Sequence, residues 1–137
     1  MEPADPRRSA AVQDPVVRAL SLANGAGRVA IGLGLIVAPA QALSILGFPD
    51  SDPGTVVIGR IAGIRDIVLG AATVLALGDP DRLRAASLAN AAADAGDALT
   101  FSLALGDERS RAAARGVAAA LPASLASLWV ARRLGQA

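Results

Sequence analysis

Four long apolar stretches run along this chain, separated by short knots of Gly, Pro and Asp. The first spans about Val17 to Leu46, with no charged residue between Val29 and Phe48. It is expected to break near Pro39, because proline removes a backbone donor and kinks a helix. The second covers about residues 55–77, the third about 85–105 and the fourth about 112–131, with Pro122 inside the last. The connections "GFPDSDPG", "GDPDR" and "GDERS" carry the residues that end and cap helices. Each stretch is near the roughly 20 residues needed to cross hydrocarbon. A soluble helix needs a polar face about half its circumference wide. The first and fourth stretches lack one over most of their length, although the third, Ala-rich and weakly apolar, would suit a soluble bundle.

This pattern predicts an all-α fold: a four-transmembrane-helix bundle over residues 15–134, with both termini cytoplasmic. The opening "MEPADPRRSAAVQDP" is polar, proline-punctuated and non-periodic, so residues 1–14 are expected to form a disordered arm. It does not read as a signal peptide, because the apolar stretch that follows is too long and lacks a clear cleavage site.

Composition supports the membrane reading and narrows the chemistry. Hydrophobic residues make up 53% of the 137, and the net charge is +1. Nothing provides the clustered basic face that nucleic acid needs. With neither Cys nor His, disulfides, thiol redox chemistry, His-based triads, haem histidine and Cys/His zinc sites are excluded. No cofactor and no metal are expected. There is no Tyr, and every basic residue is Arg, so proton chemistry falls to carboxylates.

The arginines also set an orientation. Arg7, Arg8 and Arg18 precede the first stretch, Arg82 and Arg84 lie between the second and third, and Arg132 and Arg133 close the chain. Only Arg109 and Arg111 lie on the opposite side. By the positive-inside rule both termini face the cytoplasm, predicting a multi-pass protein of the inner (cytoplasmic) membrane. Trp129 suits an interfacial anchor at the inner end of the fourth helix.

Charges inside the stretches point to a site. Within "IGRIAGIRDIVLG", residues 58–70, stand Arg60, Arg65 and Asp66. On the third helix Ser87, Asn90, Asp94 and Asp97 are spaced three, four and three, which makes one stripe. Ser21, Asn24 and Arg28 repeat the pattern on the first. At about 1.5 Å per residue, Arg28 lies roughly 12 Å deep from Leu20 and Asp94 roughly 14 Å deep from Ala85. Arg28, Arg60 and Arg65 thus face Asp66, Asp94 and Asp97 in a layer that could be neutral. Arg60 and Arg65 project away from the Asp66 face, so six charges cannot share one cluster in a straight bundle. Gly59, Gly63 and Gly70 beside Asp66, and Ala26, Ala30 and Gly34 on the first helix, would allow close helix approach. "GRVA" at 27–30 and "GRIA" at 59–62 hint at a repeat that composition explains equally well.

A charge at a helix centre costs about 2.5–3.5 kcal/mol on insertion scales, which argues against decoration. Asp94 and Asp97, one turn apart, repel unless arginines compensate; such a pair could act as acid and base or hold a cationic ligand. The plain structural alternative is a set of Arg–Asp pairs that fixes helix register.

The segments "IGLGLIVAPAQALSILGFP", "RIAGIRDIVLG" and "DAGD" resemble small bacterial four-helix membrane proteins of the family called domain of unknown function 4267, near the DoxX-like group. The resemblance covers about residues 20–130 and rests mainly on the "GxRD…LG" element. It implies a four-helix membrane fold in which Arg65, Asp66, Asp94 and Asp97 match recurring polar positions, and it implies no activity. DoxX-like relatives are associated with quinone or thiol redox systems, and a chain without cysteine can have no direct thiol role.

The function expected is binding of a small amphipathic molecule or lipid, as an accessory to a redox or biosynthetic system. Its binding residues would be Asn24, Arg28, Arg60, Arg65, Asp66, Asn90, Asp94 and Asp97. A homo-oligomer or a membrane-enzyme partner is left open, and no nucleic acid is expected. The alternative is a small membrane enzyme (isomerase, cyclase or epoxide-opening) with Asp94 or Asp97 as general acid or base.

Overall fold

The structure, a computed structural model, describes residues 10–49, 51–105 and 110–136. Three helices start alike, because in each an Asp–Pro pair stands at the start. Helix α1 is Pro15–Val37, capped by Asp14, whose Oδ1 accepts from the Val16 amide at 2.8 Å. Helix α3 is Pro53–Leu75, where Asp52 accepts from the Thr55 amide at 2.9 Å. Helix α4 is Pro80–Leu103, where Asp79 accepts from the Asp81 and Arg82 amides at 3.0 Å each. The carboxylate satisfies orphan amides, and proline at the first helical position loses no hydrogen bond.

The first apolar stretch does break at its proline. Ala38 leaves helical geometry (φ −134°, ψ 61°), and a short α2, Pro39–Leu46, turns aside. Gly47 ends α2 at φ 103°, a left-handed conformation that glycine adopts freely, while the Phe48 amide donates back to the Leu43 carbonyl at 2.8 Å. Pro122, by contrast, does not interrupt α5, which is continuous over Ser110–Gln136.

The helices form two antiparallel hairpins. Helix α1 packs on α3 and α4 packs on α5 along most of their lengths, whereas the two pairs touch each other sparingly. Glycine makes the first hairpin close. A Cβ on Gly32 would run into the Gly63 carbonyl oxygen, and one on Gly63 would lie 2.9 Å from the Gly32 oxygen. Gly25 and Gly70 meet in the same way one heptad away. The close face of α1 is therefore Gly25 and Gly32, not Ala26, Ala30 and Gly34; Ala26 and Ala30 point outward. In the second hairpin the Phe101 ring occupies the space left by Gly116.

Burial is inverted relative to a soluble domain. The interior holds glycine, alanine and polar groups, and Asn90 and Thr73 are among the largest fully buried side chains. The outside is apolar: Ile58, Ile61, Ile64, Val68 and Leu75 of α3 are all more than half exposed. A cluster of large buried aliphatics (Val12, Val17, Leu83, Val130 and Leu134, with Ala76) closes the end that holds the α3–α4 turn. Val12 belongs to the segment expected to be a disordered arm, yet it is 3% exposed and residues 10–12 form a turn of helix. Residues 1–9 lie outside the described residues.

Among the described residues, two helical segments, Pro15–Val37 and Ala112–Gln136, are long and apolar enough to cross a membrane. Helix α3 falls outside that class through Arg60, Arg65 and Asp66, and α4 through the aspartates in its alanine-rich length.

Candidate functional site

What the two hairpins share is polar. Arg28, on α1 and 7% exposed, is the hub. Its Nη1 donates to Asp66 Oδ1 on α3 at 2.7 Å, its Nη2 donates to Asp94 Oδ1 on α4, and its Nε donates to Asn24 Oδ1 one turn below at 3.0 Å. Arg65 on α3 forks onto Asp97 of α4 through two bonds of 2.8 and 2.7 Å and also reaches Asp66 at 3.3 Å. Such two-pronged guanidinium–carboxylate pairs fix direction as well as energy. Helical spacing points Arg65 away from Asp66, but the reach of its side chain brings it back.

Arg60 does not join the layer. It is exposed, on the outer face of α3 among Val57, Ile61 and Ile64. A long cationic side chain in such a place snorkels toward the nearest polar surface. The buried layer therefore holds three carboxylates (Asp66, Asp94, Asp97) and two guanidiniums (Arg28, Arg65), rather than the balanced six.

One turn toward the aliphatic end, two further links cross between hairpins. Asn24 Nδ2 on α1 donates to Ser127 Oγ on α5 at 2.8 Å, and Asn90 Nδ2 on α4 donates to Thr73 Oγ1 on α3 at 2.7 Å. These links are mates. The sequence "SLAN" occurs at 21–24 and again at 87–90, followed four residues after each asparagine by Arg28 and Asp94. Each hairpin thus sends the asparagine of its first helix to a hydroxyl on the second helix of the other, around an approximate two-fold axis between them. The internal correspondence is 21–28 with 87–94; "GRVA" and "GRIA" are not equivalent, since Arg28 is buried and Arg60 is not.

Sparse contact between hairpins leaves a cavity of about 680 Å³. Asn24, Arg28, Arg65, Asp66, Asn90, Asp94 and Asp97 all line it, together with Ser21 and Ser87 of the two stripes. Its walls are mainly apolar, with Leu35, Phe48 and Phe101 toward one end and the α5 alanines Ala119, Ala123 and Ala126 along one side. Arg115 lines it from α5 next to Gly47, but its side chain is exposed. The volume falls in the range of pockets that hold small molecules.

Several polar atoms in this lining are buried without a partner: Asp94 Oδ2, Asn90 Oδ1, Ser21 Oγ and Arg65 Nε. Asp94 and Asp97, alike in the sequence, differ here. Both oxygens of Asp97 are held by Arg65, whereas Asp94 gives one oxygen to Arg28 and leaves the other buried and unpaired. Among the described residues no group of three or more His, Cys, Asp or Glu side chains is placed to hold a metal ion.

Sequence reasoning overlooks Thr73 and Ser127. Each is a hydroxyl on a largely apolar helix with no polar stripe to mark it, and Thr73 also donates to the Leu69 carbonyl at 2.8 Å, as helical threonines do. The signal that finds them is the "SLAN" repeat, which demands an acceptor for each asparagine.

Compared with known proteins, residues 25–130 match the model of a family described as "Domain of unknown function (DUF4267)". No curated protein matches the chain, and no solved structure does.

Proposed function

The chain belongs to the DUF4267 family, and from that premise we propose that it is an integral membrane protein that binds a small amphipathic molecule or lipid between its two hairpins. In this reading α1, α3, α4 and α5 all cross the inner (cytoplasmic) membrane, with both termini cytoplasmic. The apolar exterior of α3 supports α3 and α4 as the second and third spans despite their charges, because Arg65, Asp66, Asp94 and Asp97 turn inward and pair. The arginine count of seven against two supports the orientation. Trp129, 40% exposed and with the Arg133 guanidinium 5.7 Å from its ring centre, suits the inner interface. The protein would serve a redox or biosynthetic system as an accessory, in keeping with a DoxX-like kinship.

One observation carries the binding role: an apolar-walled cavity at the level of the charge layer, lined by residues that hold polar atoms buried without a partner. Register pins alone would satisfy their own polar groups, since an unsatisfied buried acceptor costs about 1–3 kcal/mol. The test is thermal unfolding in nonionic detergent with and without total lipid extract of the source membrane. A ligand that binds only the folded state raises its stability by mass action. The extract is expected to raise the Tm of the wild type and leave Ala123→Trp, whose indole obstructs the cavity from its α5 wall, unmoved. Equal shifts in the two proteins, or none in either, would contradict the role.

An enzyme remains the second reading because of one feature, the free oxygen of Asp94. As general acid or base it would act in isomerisation, cyclisation or epoxide opening, with Arg28 or Arg65 stabilising negative charge. Asp97, held at both oxygens, would position Arg65.

A further inference from the structure

If the cavity is a ligand site, as proposed above, its unpaired atoms specify the head group. We propose that the ligand is an amphipathic amine, a protonated nitrogen on an apolar tail, with the nitrogen seated between Asn90 Oδ1 and Asp94 Oδ2.

The internal two-fold makes the case. In the first half, Asn24 Oδ1 receives a hydrogen bond from Arg28 Nε one turn above it. In the second half the equivalent asparagine, Asn90, also uses its amide nitrogen across the seam, and its oxygen is buried without a partner. Where the first half has Arg28, however, the second has Asp94, which as a carboxylate cannot donate. Two acceptors one helical turn apart, on side chains 1% and 6% exposed, are left without a donor. An N–H cation in that place would do for Asn90 what Arg28 does for Asn24.

Charge points the same way. The layer carries one more carboxylate than guanidinium, and the carboxylate oxygen that is fully buried without a partner belongs to Asp94. Arg60 lies outside the cavity and Arg115 is exposed at its rim, so neither supplies the missing cation to that oxygen. Arg65 Nε is an unpaired donor that an anion or hydroxyl could meet. Its guanidinium is already committed to Asp97 and Asp66, and an anion would add a fourth negative charge to the layer. The tail follows from the walls. The cleft between α1 and α5 is edged by Ile31, 48% exposed, and by Ala23 and Ala119, so a bilayer-dissolved chain meets apolar side chains from the entrance inward.

The test compares dodecylammonium, dodecanol and dodecanoate, which share a chain and differ in head group. Binding is read by native mass spectrometry of the full chain in nonionic detergent. Dodecylammonium is expected to bind one per chain, at least tenfold tighter than dodecanol, with dodecanoate unbound. Asp94→Asn keeps an oxygen for Arg28 but turns the free acceptor into a donor; it should weaken dodecylammonium at least tenfold, while Arg60→Gln changes nothing. Circular dichroism establishes that the variants fold, and the wild-type series decides the matter without them. Dodecanol binding as tightly as the ammonium would mean that Asn90 and Asp94 share a proton instead; dodecanoate binding best would place the head on Arg65. Either result overturns the amine and leaves the cavity a ligand site. No binding of any of the three, together with no Tm shift from lipid extract, brings down both claims.

Discussion

Arg28 joins three partners on three sides: a carboxylate within its own hairpin, a carboxylate of the other and an asparagine beneath it. Removing it strands the buried Asp94 and leaves Asp66 only the 3.3 Å bond from Arg65. Breaking a buried pair from one side costs about 3–5 kcal/mol, so Arg28→Met should lose that much in an unfolding titration in mixed detergent micelles. Arg60→Gln, on the outer face, should fall within about 0.5 kcal/mol of wild type in the same titration. The sequence supports the first expectation and misplaces the second. Spacings of three and four are enough to bring Asn24 with Arg28, and Asn90 with Asp94, onto single helix faces. Arg60 and Arg65 lie about 140° apart at about 100° per residue, so only one of them can turn to the seam. Nothing local says which, because the choice is made by where α4 presents Asp97.

Helix boundaries follow from Asp–Pro pairs at three starts and Gly47 at one end, all readable in the chain. Which surfaces pair is less readable. The glycine face of α3 is plain, but α1 is so rich in small residues that two faces compete, and Ala26, Ala30 and Gly34 look as suitable as Gly25 and Gly32. Backbone contact decides between them, since only a residue without Cβ lets the α1 and α3 carbonyls come this near. Gly32→Ala should therefore destabilise by about 1–3 kcal/mol, as overpacking does. Gly96→Ala, where an added Cβ meets nothing within 4 Å, should stabilise by about 0.5–1 kcal/mol through helix propensity. Unfolding of both in one detergent system checks the pair; equal losses would mean that α1 and α3 do not pack through glycine.

At the scale of the molecule, the two hairpins are apolar outside and polar along their seam. An all-α chain with this inversion is legible from composition and from the three-four stripes. The cavity is not, because it arises from how little the hairpins touch, and that is a property of neither hairpin alone. Helices α3 and α4 carry charges, Arg65, Asp66, Asp94 and Asp97, that find their partners in the assembled seam. Four spans with cytoplasmic ends place residue 49 outside and residue 136 inside. The chain has no cysteine, so Pro49→Cys and Gln136→Cys can be labelled singly in sealed inverted and right-side-out vesicles. A membrane-impermeant maleimide should reach Cys at 49 only in right-side-out vesicles and Cys at 136 only in inverted ones. Labelling of both from the same side would refute the odd number of crossings proposed between them and would require a different set of spans.

The most direct measurement of the central claim, that the seam encloses a ligand site within the membrane, is native mass spectrometry of the protein released gently from its own membrane. The wild type is expected to carry a reproducible mass excess of one small amphiphile per chain, absent from Ala123→Trp at equal folding. A wild-type chain of bare mass, or an excess that survives in the obstructed variant, would contradict the claim and leave the arginines and aspartates as pins that set helix register.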